Sequence, residues 1–157
     1  MLGEYNRLMK SNIKVYQVIT EKELNDCFNI RLEVFVKEQG VPSEEELDDL
    51  DQISFHAIAY KDNYPIATGR LIPGVNMNGT IGRMAVMQKY RRFGVGGMVL
   101  DFLEQIALNE GIQQITLNAQ EYVKKFYDNH GYKEEGDVFI EAGIPHVTMV
   151  KTIFKEI

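Results

Sequence analysis

Seven consecutive residues, Arg91-Arg92-Phe93-Gly94-Val95-Gly96-Gly97, put two cations and three glycines directly ahead of the most amphipathic stretch of the chain. Glycine has no Cβ, so backbone there can approach a ligand closely. The first N–H groups of a helix have no internal partner, and the helix dipole adds partial positive charge. Glycines at a helix start are therefore suited to holding an anion, phosphate above all, and Arg91 and Arg92 add charge beside it. The segment is not a P-loop, because Met98 and Val99 stand where Lys and Ser/Thr would be needed. Nor does it fit the dinucleotide fingerprint, whose third small residue falls on Val99. On the glycines alone, a tight turn with two surface arginines remains an equal alternative.

The elements that must position this turn follow from periodicity and punctuation. Ile13 to Ile19 reads as a strand, and Thr20 with Glu23 as a capping box for a helix carrying Leu24, Cys27, Phe28, Leu32 and Phe35 on one side. Gly40 and Pro42 end it, and an acidic segment follows as a loop or one short helix. Strands are expected over Ile53 to Tyr60 and Pro65 to Ile72, joined at Asp62-Asn63, and over Thr80 to Val86 after an Asn78-Gly79 turn. Val95 to Asn109 is a helix with Val95, Met98, Val99, Phe102, Leu103, Ile106 and Ala107 on one face and Gly111 at its end. Ile112 to Asn118 is a strand, about Gln120 to Asn129 a helix stopped by Gly131, and the tail a hairpin around Ala142-Gly143. The order gives a mixed sheet with helices packed on it, a single α/β or α+β domain. At 157 residues the chain has room for one domain, here 13–157, with 1–12 as an extension.

Composition narrows the class. Lys and Arg number 17 against 23 Asp and Glu, a net charge of −6, and six of those acids lie between Glu44 and Asp51. The remainder is neutral, which weighs against a nucleic-acid surface. One cysteine, Cys27, permits no internal disulfide, and three histidines offer little for a structural metal site, so no metal is expected. Without an 18-residue apolar run or a signal-peptide core, neither membrane insertion nor export is expected, and the cytoplasm is the expected location.

The motifs resemble those of the GNAT N-acetyltransferase superfamily. Arg91-x-x-Gly94-x-Gly96 is similar to its Arg/Gln-x-x-Gly-x-Gly/Ala signature, Ile81 to Val86 to the strand before it, and Phe126-Tyr127-x-x-x-Gly131-Tyr132 to its closing motif. Three further stretches resemble the ElaA/YjcF-like subgroup: Arg31-x-Glu33-Val34-Phe35-Val36-x-Glu38-Gln39, Asn118-Ala119-Gln120, and Gly143-Ile144-Pro145-His146. The resemblance runs from about Ile13 to Thr152. It implies a mostly antiparallel sheet of six to seven strands with helices on both faces. It also implies acetyl transfer from acetyl-coenzyme A to a primary amine of a small molecule or peptide. The pyrophosphate would lie on Arg91, Arg92, Phe93, Gly94, Val95, Gly96 and Gly97. Met84, Ala85 and Val86 would polarise the thioester carbonyl, and Asn118 and Gln120 would touch the pantetheine arm.

Such transfer needs a polarised carbonyl, a neutral amine and a proton for the leaving thiolate. Tyr127, at the motif position, is the expected acid: a phenol with pKa about 10 is protonated at pH 7 and can donate to a thiolate whose thiol has pKa about 8.5. Cys27 lies on an apolar face and reads as core, so transfer would be direct. Candidates for the base are Glu38 and His146, with His56 and Glu141 behind them; His130 reads as a helix cap. The acidic segment would attract a cationic amine if it faced the acceptor, and is a solvated loop otherwise. Relatives of this fold also act on amino-sugar phosphates, an anionic acceptor that would need a pocket from Arg31, Arg70 or Arg83. A non-catalytic acyl-coenzyme A-binding module is the alternative from another class. A fainter likeness of the first helix to acyl-homoserine lactone synthases ranks third. A homodimer is left open.

Overall fold

The computed structural model describes residues 1–154. Seven strands form one sheet: β1 (Ile13–Gln17), β2 (Phe55–Lys61), β3 (Tyr64–Pro73), β4 (Asn78–Val86), β5 (Gln114–Gln120), β6 (Lys133–Glu141) and β7 (Ile144–Thr152). Their order is β1-β2-β3-β4-β5-β7-β6. Every neighbouring pair is antiparallel except β4 and β5. The helices are α1 (Leu2–Lys10), α2 (Glu21–Arg31), α3 (Ser43–Glu46), α4 (Val95–Asn109) and α5 (Lys124–Asn129). Mixed topology and helices on both faces match the expectation.

Turn chemistry explains the hairpins. Asp62 and Asn63 have φ of 49° and 71°, and Ala142 and Gly143 of 50° and 74°. Both central residues lie in the left-handed region, as the tightest hairpin turns require. The expected capping box is present: Glu23 N donates to Thr20 Oγ1 at 3.2 Å and Thr20 N to Glu23 Oε1 at 2.9 Å.

The sheet is covered on both sides. Val95, Val99, Leu100, Leu103, Ile106 and Ala107 of α4 are buried against one face. Cys27, Ile30 and Val34 bury against Ile58 and Ala85 on the other. This buries the middle of β2 and β3 on both faces, so they lack the alternating exposure of a half-exposed strand.

Several boundaries depart from the sequence reading. The first helix does not run regularly to Phe35: α2 stops at Arg31 and continues as a π-helical stretch over Leu32–Glu38. The helix expected from Gln120 begins at Lys124, because the β5–β7 ladder holds Gln120 opposite His146. The extension is helical, and Lys61 Nζ ties its end by donating to the carbonyls of Leu8 (2.9 Å) and Ser11 (2.7 Å).

The largest correction concerns the acidic segment. It is neither a solvated loop nor a free negative surface. It folds as α3 and a 3-10 turn over Asp49–Ile53, and Glu46 and Asp51 are buried. Arg31 donates from Nε to Glu46 Oε1 at 2.9 Å and from Nη1 to Asp51 Oδ1 at 2.7 Å. Arg70 Nη1 reaches Asp48 Oδ1 at 2.7 Å and Asp51 Oδ1 at 2.9 Å. Half of the run thus neutralises arginines brought from α2, β3 and β4.

Candidate active site

The parallel pairing of β4 and β5 spans only Asn78, Gly79 and Thr80 against Gln114, Ile115 and Thr116. Beyond those residues the strands pair with their outer neighbours but not with each other, and a cleft of about 900 Å³ opens between them. Met87 N donates to Ile66 O of the β3 side at 2.8 Å. Backbone groups alternate sides along an antiparallel strand, so Val86 turns its N–H and C=O the other way, toward the opening. Arg91 Nε indeed reaches Val86 O there, at 2.9 Å.

The glycine turn stands beside this opening. Gly94 caps α4 with φ of 79°, a conformation that disfavours any side chain. The first intrahelical bond runs from Met98 N to Gly94 O at 3.1 Å, so the amides of Val95, Gly96 and Gly97 precede the helical ladder. Arg91, Arg92, Gly94, Val95 and Gly96 line the cleft. Phe93 and Gly97 do not: the Phe93 ring meets Tyr5 of α1 at 6.0 Å, and a Cβ on Gly97 would come within 2.9 Å of His130 Nε2. Gly97 is small because His130, at the end of α5, packs against it.

Met84, Ala85, Val86, Asn118, Gln120, Tyr127 and His146 also contribute to the wall, so the structure brings these candidate residues to one cleft. Asn118 Oδ1 accepts from Thr148 Oγ1 at 3.0 Å. Gln120 and Gln39 exchange amide bonds of 2.9 and 3.2 Å, and Gln39 also donates to Tyr122 OH at 3.1 Å. This tie between the π-helical segment and β5 escaped the sequence reading. The quoted motif already contained Gln39, but no spacing rule links it to a residue 81 positions away.

Tyr127 is 8% exposed and packs edge-on against Phe126 and Tyr132. The residue lines the cleft, and no side-chain hydrogen bond among the described residues involves its hydroxyl. Burial pushes the phenol's pKa well above its usual value, which keeps the proton on. His146 Nδ1 donates to Ile144 O at 2.7 Å, because a carbonyl can only accept. In its neutral form the ring therefore presents a basic Nε2, which lies 3.6 Å from Glu141 Oε2.

Glu38 lies elsewhere. Both its oxygens are taken by Arg91, at 2.7 and 2.9 Å, and it is not part of the cleft wall. It orients Arg91 and is poorly placed to accept a proton. His56 is buried under the acidic segment, with Nε2 donating to Asp51 O at 2.9 Å. Nδ1 of His130 donates to Phe126 O at 2.7 Å, the capping contact expected of it. Cys27 is fully buried, and burial pushes its thiol up to about 11. Among the described residues, no helix is long and apolar enough to cross a membrane.

A strand pair that splays beside a glycine-started helix brings the quoted motifs together, and comparison with known proteins identifies the family. The pattern of the acetyltransferase (GNAT) domain matches residues 16–153. The chain belongs to the GNAT acetyltransferase family. It is similar to YjcF of Bacillus subtilis, called an uncharacterized N-acetyltransferase: 41% identical over 134 residues, covering 83% of this chain and 94% of that protein. An acyl-CoA N-acyltransferase from Pseudomonas aeruginosa is 29% identical, with a TM-score of 0.78 over 88% of this chain and 98% of the other. Escherichia coli ElaA, at 23% identity, shares the fold with a TM-score of 0.80 over 88% and 99%. The chain is thus an acyltransferase of the ElaA/YjcF-like subgroup.

Proposed function

We propose that this GNAT protein transfers the acetyl group of acetyl-coenzyme A directly to a primary amine. The observation that carries the reading is the splay of β4 from β5, which brings the inward-turned Val86 amide and the free amides of α4 to one cleft. In this reading the pyrophosphate is held by the amides of Val95, Gly96 and Gly97, with Arg91 and Arg92 alongside. Asn118 and Gln120 flank the pantetheine arm. Val86 N–H donates to the thioester oxygen as negative charge develops on it.

The amine nitrogen then attacks the carbonyl carbon, forming the C–N bond as the C–S bond breaks. Tyr127 OH gives its proton to the departing sulfur, and His146 Nε2 takes the proton that the nitrogen sheds. Direct transfer is supported by Cys27, whose buried, protonated thiol cannot serve as a nucleophile.

Release of free coenzyme A from acetyl-coenzyme A, followed with a thiol reagent across a panel of primary amines, tests this reading. Amine-dependent release is the expected result. Binding of acetyl-coenzyme A with no release for any amine would overturn it in favour of a binding module.

A further inference from the structure

One end of the cleft is lined by charged side chains that the steps above leave unused. Three arginines meet Glu46, Asp48 and Asp51 there, but on unequal terms. The side chains of Arg31 and Arg70 are 1% and 5% exposed, and each makes ion pairs of 2.7 to 2.9 Å. Arg83 is 27% exposed and lies in the cleft wall. Its contacts are 3.1 Å to Glu46 Oε1, 3.2 and 3.3 Å to the carbonyls of Glu46 and Glu45, and 3.3 Å to Asp48 Oδ2. Charge-assisted bonds of this kind are optimal near 2.7–2.9 Å, and arginine binds oxyanions best through two parallel N–H groups. No carboxylate takes Arg83 in that way.

The electrostatics agree with the distances. Burial works against the charge of both Arg70 and Arg83. At Arg70 the bonds to Asp48 and Asp51 outweigh it and raise the pKa, whereas at Arg83 burial outweighs Glu46 and the pKa is lowered. Arg70 adds a second vacancy, for its buried Nε has no partner and the residue lines the same cleft.

The backbone gives Arg83 its position. Between Thr68↔Ala85 and Arg70↔Gly82 the β3–β4 register shifts, and Arg83 sits in this bulge with φ of 52°. Such a conformation is strained for a non-glycine residue and persists only where its surroundings enforce it. Bulges re-aim side chains, and this one sets in the wall of the cleft a guanidinium whose Nε and Nη2 make only long contacts and whose Nη1 makes none among the described residues. Glu45 and Glu141 also face the cleft and are exposed, so the lining offers an ammonium group something to meet as well.

The geometry points to Arg83 as the recognition site for an oxyanion, carboxylate or phosphate, carried by the amine acceptor on the same small scaffold. This rests on the acetyl-transfer reading above and names the class of acceptor. It also replaces the steering of a cationic amine by the acidic run, since Glu46, Asp48 and Asp51 are already committed to arginines.

The test uses matched acceptors in the thiol-release assay: an α-amino acid against its amide, and O-phosphoethanolamine against ethanolamine. Within each pair the ratio of kcat/KM values is compared between the parent, Arg83→Asn and Arg83→Lys. Asparagine tolerates positive φ, so the neutral variant keeps the bulge; lysine keeps the charge but loses the fork. The parent should favour the anionic member at least tenfold in one pair, and that pair identifies carboxylate or phosphate. Arg83→Asn should cut the ratio tenfold to a hundredfold, the range for loss of a charged hydrogen bond, and Arg83→Lys should retain part of it. Neutral members served equally well by the parent, or a ratio unmoved in Arg83→Asn, would overturn the inference and leave acetyl transfer standing. No release with any amine would overturn both.

Discussion

The turn Arg91–Gly97 and the segment Glu44–Asp51 are both short, and each looks from its residue types like a place that attracts charge. The structure gives them opposite work. In the turn the useful groups are backbone amides, freed by a helix start that Gly94 makes possible and left open to the cleft. In the acidic segment the useful groups are side chains turned inward, where Glu46 and Asp51 hold Arg31, Arg70 and Arg83. A local motif reports its chemistry because the chemistry is local. A run of carboxylates reports nothing until the cations that complete it are known, and here they come from residues 31, 70 and 83.

This contrast predicts that damage to the two regions separates into fold and binding. Asp51→Ala should cause the largest effect. It leaves two buried guanidinium groups without their shared carboxylate, and breaking such a buried pair costs about 3–5 kcal/mol. Denaturant unfolding should show the loss; a variant as stable as the parent would mean that the cluster contributes nothing to the fold.

Changes on the other side should spare stability. Tyr127→Phe keeps the ring and removes the proton donor, so turnover should fall about a hundredfold while affinity for acetyl-coenzyme A barely moves. Full turnover in the variant would show that solvent protonates the leaving thiolate. Gly96→Asp should weaken acetyl-coenzyme A binding at least tenfold by calorimetry. Its added Cβ would meet Phe126 at 3.4 Å, which is ordinary contact, so the chain should still fold. Unchanged affinity would remove the anion-binding reading of the turn.

Much of the fold was legible because its signals are local. The α4 boundaries, Val95 to Asn109, agree with the stripe of apolar residues, and both hairpin turns follow from Asn63, Asp62 and Gly143. Tyr127 and His146 were legible only through motif resemblance, and the structure brings both to the cleft. Glu38 was misassigned because its partner Arg91 lies 53 residues away. The π-helical stretch over Leu32–Glu38 was invisible, since one sequence pattern of apolar residues serves both helix types over two turns. Arg31, Arg70 and Arg83 were equal candidates for an anion pocket in the sequence, and only the bulge at Arg83, with the carboxylates that enclose Arg31 and Arg70, sets them apart.

The smallest effect concerns pH, and it probes how tightly the acidic segment is closed. His56 lies beneath Asp51, meets Phe28 edge-on at 6.5 Å, and has a buried Nδ1 without a partner. Burial, aided by Arg31 and Arg70 and opposed by Asp51, lowers its pKa below 6.5 in the fold. As pH drops through about 6.5 the unfolded chain therefore takes up a proton that the folded chain refuses, and stability must fall. Asp48 and Asp51, with lowered values, lose their contribution only at more acid pH. Glu46 acts in the opposite sense, because burial raises its pKa and its protonation favours the fold. Between pH 7.5 and 5.5 the parent should lose stability with a slope below one proton, about 1.4 kcal/mol per pH unit at most. His56→Gln keeps a donor for Asp51 O and removes the titration, so its profile should be flatter in that window. Parallel profiles for parent and variant would show that His56 is wetted in solution and that the acidic segment opens far enough to let water reach it.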